Sequence, residues 1–268
     1  VETKKQDTSG GFMFKHTIVR KPAKSMIEGI TSAPELGKPD YELALKQHEN
    51  YVEALKACGV DVLVLEALED FPDSCFVEDV SVCTEACAII TNPGADSRNG
   101  EINYITSAIE QYYRPEQIER ISFPGTLDGG DVMMVGKHFY IGLSARTNEE
   151  GCAQFIMALE KHGMTGEIVP LNEVLHLKTG LAYLENNNLL VGGEFVTSPV
   201  FESFNKVVIP STESYACNCI WMNDTVIVPK GYPKTEAGIA ALGYKTLIVD
   251  TSEYRKLDGG LSCLSLRF

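Results

Sequence analysis

"DVMMVGKHFYIG", residues 131–142, holds two short apolar runs folded back over Gly136-Lys137. Two apolar runs broken by a glycine-bearing pair are the signature of a β-hairpin. The same pattern recurs in "VSVCTEACAII" (80–90), in "LAYLENNNLLVG" (181–192, around Asn187) and in "CIWMNDTVIVP" (219–229, at Asn223-Asp224). Helical stretches follow. After the hairpin at 131–142, Thr147 and Glu150 form a capping-box pattern ahead of "NEEGCAQFIMALEKHG", which Gly163 stops. "KTEAGIAALG" runs to Gly243 after the hairpin at 219–229. The clearest helix lies in "DYELALKQHENYVEALKACG" (40–59). Asp40 can cap it, Tyr41, Ala44, Leu45, His48, Val52 and Leu55 share one face, and Gly59 ends it. His48 sits on that apolar face and reads as structural. Strands follow in "VDVLVLEAL" (60–68) and "KTLIVD" (245–250).

The unit is therefore hairpin, helix, strand. "FMFKHTIVRKP" (12–22) and "LSCLSLRF" (261–268) can supply parts of one more, so about five units fit the length. Repeated units with buried strands point to radial or cyclic repetition, which also protects sheet edges. An open α/β sheet fits worse, because hairpins impose antiparallel pairs. With no Pro-, Gly- or Ser-rich linker, residues 1–268 read as one catalytic domain, the polar residues 1–10 being a loose arm. "MIEGITSAPELGKPD" (26–40) lacks a clear period and reads as a flap or an ordinary connector.

The formal charge of −14 argues against nucleic acid, which needs clustered Lys and Arg. No run approaches the ~18 apolar residues of a membrane helix, and the N-terminal residues lack the apolar stretch of a signal peptide. Eight cysteines spread through a chain of this size suggest reduced thiols and a cytoplasmic location. Cys83/Cys87 and Cys217/Cys219 are poorly spaced for zinc and no close His completes a set, so no metal is expected.

Polar groups gather where apolar strands begin. "PDSCFVEDVSV" carries Asp73, Glu78 and Asp79; "TLDGGDVMM" carries Asp128 and Asp131; "LHLKTGLAYL" carries His176. Asp79, Asp128 and His176 are 49 and 48 residues apart, and Cys263 comes 87 residues later. In a ring of repeated units, such spacing brings equivalent strand ends towards one axis. Singly, each has an ordinary structural reading: turn former, core imidazole or small hydrophobe. Together, Cys, His and carboxylates are the parts of thiol-based nucleophilic catalysis. The surplus of acidic acceptors suits a planar guanidinium with its five N–H groups. Arg98 and Arg146 could hold a carboxylate at the substrate's other end, which describes an arginine-like amino acid.

"DSCFVEDVSV", "NPGADSRNGE", "TLDGGDV", "GLSARTNEEG", "HLKTG", "NCIWMN" and "DGGLSCLSL" together resemble the dimethylarginine dimethylaminohydrolase family, in its order and over nearly the whole chain. The resemblance implies a five-bladed pseudo-symmetric α/β propeller, the pentein fold. It implies Cys263 as nucleophile, His176 as general acid and base, and Asp128 as the acid of "LDGGD". Asp73, Glu78 and Asp79 would line the guanidinium pocket, and Arg98 and Arg146 would bind the α-carboxylate. Ile30 would come from the flap, and backbone near Leu257 and Asp258 would meet the α-amine. The implied reaction needs no cofactor: Nω-methylated arginine becomes citrulline and an alkylamine through a covalent thiouronium. A standing Cys–His ion pair and deprotonation on substrate arrival both stay open. A small guanidino molecule is the expected partner, with neither nucleic acid nor membrane; a homodimer is left open. Rival readings are arginine deiminase or amidinotransferase chemistry, and a propeller that binds without turnover.

Overall fold

The computed structural model describes residues 11–268; the arm expected at residues 1–10 lies outside them. Strands β1 (His16–Arg20) and β2 (Asp61–Leu65) share a sheet with the last strand, β15 (Leu266–Arg267). The second sheet is β3 (Ser81–Cys83), β4 (Ala88–Ile90) and β5 (Ile118–Arg120); the third is β6 (Val132–Val135), β7 (His138–Leu143) and β8 (Thr165–Pro170). The fourth is β9 (Leu181–Tyr183), β10 (Asn188–Val191) and β11 (Asn205–Val208); the fifth is β12 (Ile220–Met222), β13 (Thr225–Pro229) and β14 (Lys245–Val249). In every sheet the middle strand pairs antiparallel on one side and parallel on the other. The parallel partner is reached through a crossover: α1 (Tyr41–Ala57), α2 (Ile102–Ile109), α3 (Glu149–Lys161) or α4 (Pro233–Ala241). In the fourth sheet two 3-10 turns, Gly193–Phe195 and Pro199–Phe201, replace the helix.

The middle strands are apolar at consecutive positions because both of their faces are buried. Side chains alternate along a strand, so neighbours point into different cores. Ala88 and Ile90 of β4 pack between the first and second sheets, whereas Ile89 packs between the second and third. Phe139 and Ile141 of β7 join that second-to-third core, and Tyr140 faces the fourth sheet. Leu190 of β10 and Val226 of β13 meet in the next, and Ile227 meets Val19 of β1 in the last. Five cores separate five sheets and the series closes on itself, which makes a five-bladed propeller.

Local details follow the turn residues. Gly136 and Asn223 take left-handed φ of 60° and 67° in their hairpins. Asp40 accepts from Leu43 N at the start of α1, and Gly59 follows its end at φ 84°. The start of α3 corrects the expected capping box. Asn148 is the cap, accepting from Gly151 N, while the Thr147 hydroxyl is buried and donates to Asp131 Oδ2 at 2.6 Å. The oxygen of that hydroxyl accepts from Asp128 N at 3.1 Å and so does not serve a helix N–H. His48 is buried on α1, and burial pushes its imidazole down to about 4. All eight cysteines are free thiols.

Each of the four hairpins is entered through a 3-10 turn, Val77–Val80, Gly129–Asp131, Leu177–Thr179 and Ser211–Cys217, and a fifth, Ser262–Leu264, leads into β15. Successive turns touch around the axis and so bring distant sequence positions to one centre.

Candidate active site

The turns deliver their polar residues to one cavity. It is a small cleft, open to solvent on one side. Cys263, His176, Asp73, Asp79, Arg98, Arg146, Ile30, Leu257 and Asp258 all line it, joined by Phe76, Leu175 and Gly259. Seven of the cysteines are buried and Cys263 alone is partly exposed, at this wall.

Asp128 is fully buried behind the imidazole; its Oδ2 lies 2.9 Å from His176 Nε2 and its Oδ1 accepts from Gly94 N. Asp131 fixes the start of the same turn by accepting from Leu177 N, and it also takes the Ser144 and Thr147 hydroxyls. Gly130 leaves room for the ring: a Cβ there would stand 3.0 Å from Asp79 Oδ1 and 3.2 Å from the His176 ring. Burial pushes the His176 imidazole down, but the Asp128 hydrogen bond and the charges of Asp79 and Asp131 outweigh it and carry it up to about 9. It is therefore an imidazolium at neutral pH.

Burial pushes the Cys263 thiol up to about 12, with Glu78 and Asp79 adding to the rise. Its hydrogen-bond donors among the described residues are Gly260 N at 3.4 Å and Asn218 Nδ2 at 3.7 Å, and the imidazole is not one of them. The resting pair is a neutral thiol and a separate imidazolium.

The acids and arginines divide their work differently from the expectation. Burial pushes Asp79 up, yet Arg98, the imidazolium and the Gly130 N–H hold it below the usual carboxylate range. Burial pushes Asp73 up despite Arg98 and the Ile30 N–H. Arg98 is buried and largely committed: Nη1 reaches Asp79 Oδ2 at 2.6 Å, Nε reaches Glu101 Oε2 at 2.9 Å, and Nη2 donates to the Asp73 and Phe76 carbonyls. It first serves as a brace for the acids. Arg146 is the freer cation; its nearest charged partner is Asp128 Oδ2, 3.7 Å from Nη1.

Glu78 departs from the expectation. Its side chain turns away from this cavity into a second, axial one, where Oε2 takes Lys178 Nζ at 2.6 Å and Arg267 Nη2 at 2.7 Å. Oε1 accepts from Ser262 Oγ. Two cations outbid a guanidinium for that carboxylate, and adjacent residues in a tight turn cannot both face one side.

The flap closes over the mouth and is clasped by side chains from other blades. Asp73 Oδ1 accepts from Ile30 N at 3.0 Å; Asp258 accepts from Ser32 N at 2.6 Å and Ser32 Oγ at 2.8 Å. Asp258 takes φ 60°, so its carboxylate serves the flap from a left-handed corner. Sequence reasoning missed Asn218, Phe76, Leu175 and the bracing role of Glu101, although each lies inside a quoted stretch: "NCIWMN", "DSCFVEDVSV", "LHLKTGLAYL" and "NPGADSRNGE".

Comparison with known proteins agrees with this geometry. The family model described as N,N dimethylarginine dimethylhydrolase, eukaryotic, matches residues 36–197. The N(G),N(G)-dimethylarginine dimethylaminohydrolase of Pseudomonas aeruginosa is 60% identical over 96% of this chain and all of its own. A solved structure of the Pseudomonas aeruginosa enzyme, a cysteine-to-serine variant complexed with citrulline, superposes with a TM-score of 0.94 at 60% identity, covering 96% of this chain and 100% of that one. A second, a histidine-to-glycine variant as an adduct with S-methyl-L-thiocitrulline, also gives 0.94, at 59% identity and the same coverage. The fold is thus the five-bladed α/β propeller of the pentein type. The chain belongs to the dimethylarginine dimethylaminohydrolase family.

Proposed function

We propose that this chain hydrolyses Nω-methylated arginine, as dimethylarginine or monomethylarginine, to citrulline and an alkylamine, by way of a covalent intermediate on Cys263. One observation carries the reading: a partly exposed cysteine, an imidazole held by Asp128, carboxylates and arginines converge on a single small cleft.

A methylated guanidinium entering that cavity is a planar cation. Asp73 and Asp79 accept from its N–H groups, the compensation a buried guanidinium requires. Arg146 takes the α-carboxylate, helped by the one Arg98 N–H, on Nη1, that has no partner among the described residues. The arriving cation stabilises a thiolate beside it, so Cys263 releases its proton to solvent once substrate is bound. Its Sγ then adds to the central guanidinium carbon. His176, with Nε2 held by Asp128, donates a proton from Nδ1 to the alkylamine nitrogen. The C–N bond breaks, the amine leaves and a thiouronium remains on Cys263. The neutral imidazole next takes a proton from water, hydroxide adds to the same carbon, and the C–S bond breaks to give citrulline and the thiol.

The test is incubation with dimethylarginine, arginine and agmatine in separate reactions, measuring ureido product and released amine. Dimethylamine and citrulline in equal amounts are expected from dimethylarginine. Their absence would overturn the reading, and ammonia released from arginine at a higher rate would replace it with a deiminase. Cys263→Ser should remove turnover while leaving the melting curve in place.

A further inference from the structure

We propose that Asn218 is a further catalytic residue, the side-chain donor that holds the Cys263 sulfur as a thiolate. The inference deepens the functional reading above and rests on it.

Asp79, Asp128, His176 and Cys263 each sit in or beside the 3-10 turn that leads into the antiparallel pair of a blade. They account for four blades. Asn218 occupies the equivalent place in the remaining one, closing the turn Ser211–Cys217 two residues before β12. It follows His176 by 42 residues and precedes Cys263 by 45, close to the 49 and 48 that separate the others. The long interval between imidazole and thiol therefore contains one more turn, and its polar residue reaches the reacting atom.

The orientation of the amide is fixed by its neighbours. Oδ1 lies 2.9 Å from Ser262 N, a buried donor that needs an acceptor, so the oxygen must face that way. The NH₂ group is thereby turned to Sγ, at 3.7 Å. Gly260 completes the arrangement. Its N–H is the other donor to Sγ, at 3.4 Å, and a Cβ on it would fall 2.5 Å from Asn218 Nδ2. The chain leaves out a side chain where the amide must pass.

The sulfur needs these donors. Glu78 and Asp79 oppose negative charge on it, and Lys178, which favours it, is tied to Glu78. Hydrogen bonds to the ionised form are what remain to lower the cost of the thiolate. Two N–H groups on one sulfur form an anion hole for the nucleophile, distinct from the acids that hold the guanidinium.

Asn218→Ala and Asn218→Asp test this. The aspartate keeps the acceptor for Ser262 N and loses the donor to Sγ, so it separates holding the backbone from holding the sulfur, and it guards against a misfolded alanine variant. Alkylation of Cys263 by iodoacetamide, followed by mass from pH 7 to 10, reports the thiolate without turnover. Asn218→Ala should be alkylated about tenfold more slowly at each pH, and Asn218→Asp at least as slowly. For dimethylarginine, kcat should fall about tenfold or more in both while KM stays within about twofold. Parent-like alkylation in either folded variant overturns the assignment. A parent enzyme inert towards dimethylarginine would sink the functional reading instead and leave the alkylation comparison intact.

Discussion

Cys263 and His176 are pulled in opposite directions by one cause, the surplus of carboxylates around them. Acid groups make a thiolate costly and an imidazolium cheap, so the free enzyme holds thiol and imidazolium instead of the ion pair of a papain-like site. The sign of the pH dependence follows. With the thiol at about 12, alkylation by iodoacetamide in the free enzyme should climb about tenfold per pH unit from 7 to 10 without a plateau. A rate already flat at pH 7 would instead reveal a standing ion pair. With the thiol at about 12 needed as a thiolate and His176 at about 9 needed as an acid, kcat/KM should climb about tenfold per pH unit up to about 9 and then level off. His176→Ala should lack the levelling off near 9 together with most of the turnover. Arg146 gives a second residue-scale prediction. Because Arg98 is braced against Asp79 and Glu101, the α-carboxylate depends mainly on Arg146. Arg146→Ala should raise KM for dimethylarginine about tenfold or more and leave methylated agmatine, which has no carboxylate, within about twofold. Equal effects on both compounds would contradict that placement.

Among elements, the flap and the 3-10 turns decide what the blades can do. Gly29 lies where the flap meets the wall: a Cβ there would stand 2.9 Å from Asp73 Oδ1 and 3.0 Å from the Leu257 side chain. Its φ of −61° suits alanine, so the cost of Gly29→Ala is contact alone. The flap must lift, stretching the Ile30–Asp73 hydrogen bond. KM for dimethylarginine should rise several-fold with a smaller change in kcat; an unchanged KM would show that the flap does not seat the substrate. The hairpins were legible in the sequence because their turns need Gly or Asn at positive φ and both of their faces are buried. The 3-10 turns were not, since neighbouring turns hold them and no local period does. For the same reason sequence adjacency misled at Glu78 and Asp79, whose side chains part to opposite cavities. Asn218 stayed hidden because asparagine beside a turn has an ordinary explanation, and only the partners of its amide reveal another. Thr147 reads as a cap because nothing local announces that Asp128 N occupies its oxygen and Asp131 takes its proton.

Over the whole molecule, the ring explains why equal spacing carried information. The 49- and 48-residue intervals are blade repeats, and a repeat around an axis converts sequence distance into proximity. Closure is achieved by β15 against β1, and the segment that closes the ring also carries the nucleophile. Phe268 is the plug of that closure. Its ring packs against His16, Tyr112 and Tyr113 at centroid distances of 5.0–5.6 Å, and its carbonyl accepts from Lys15 N and His16 N. Phe268→Ala removes the ring and leaves those backbone bonds. Truncating a buried phenylalanine costs about 3–5 kcal/mol, a large part of the ~5–15 kcal/mol that holds a typical domain together. The urea midpoint should drop accordingly with an unchanged slope, because the folded and unfolded surfaces differ little from the parent's. Cys263 is anchored separately, through Asn218 and Gly260, so kcat per folded molecule should stay within about twofold in the cold. A midpoint that does not move would deny the plug its role in closure. A kcat that collapses in fully folded protein would mean that Phe268, and not the turn at Ser262–Leu264, sets the position of the sulfur.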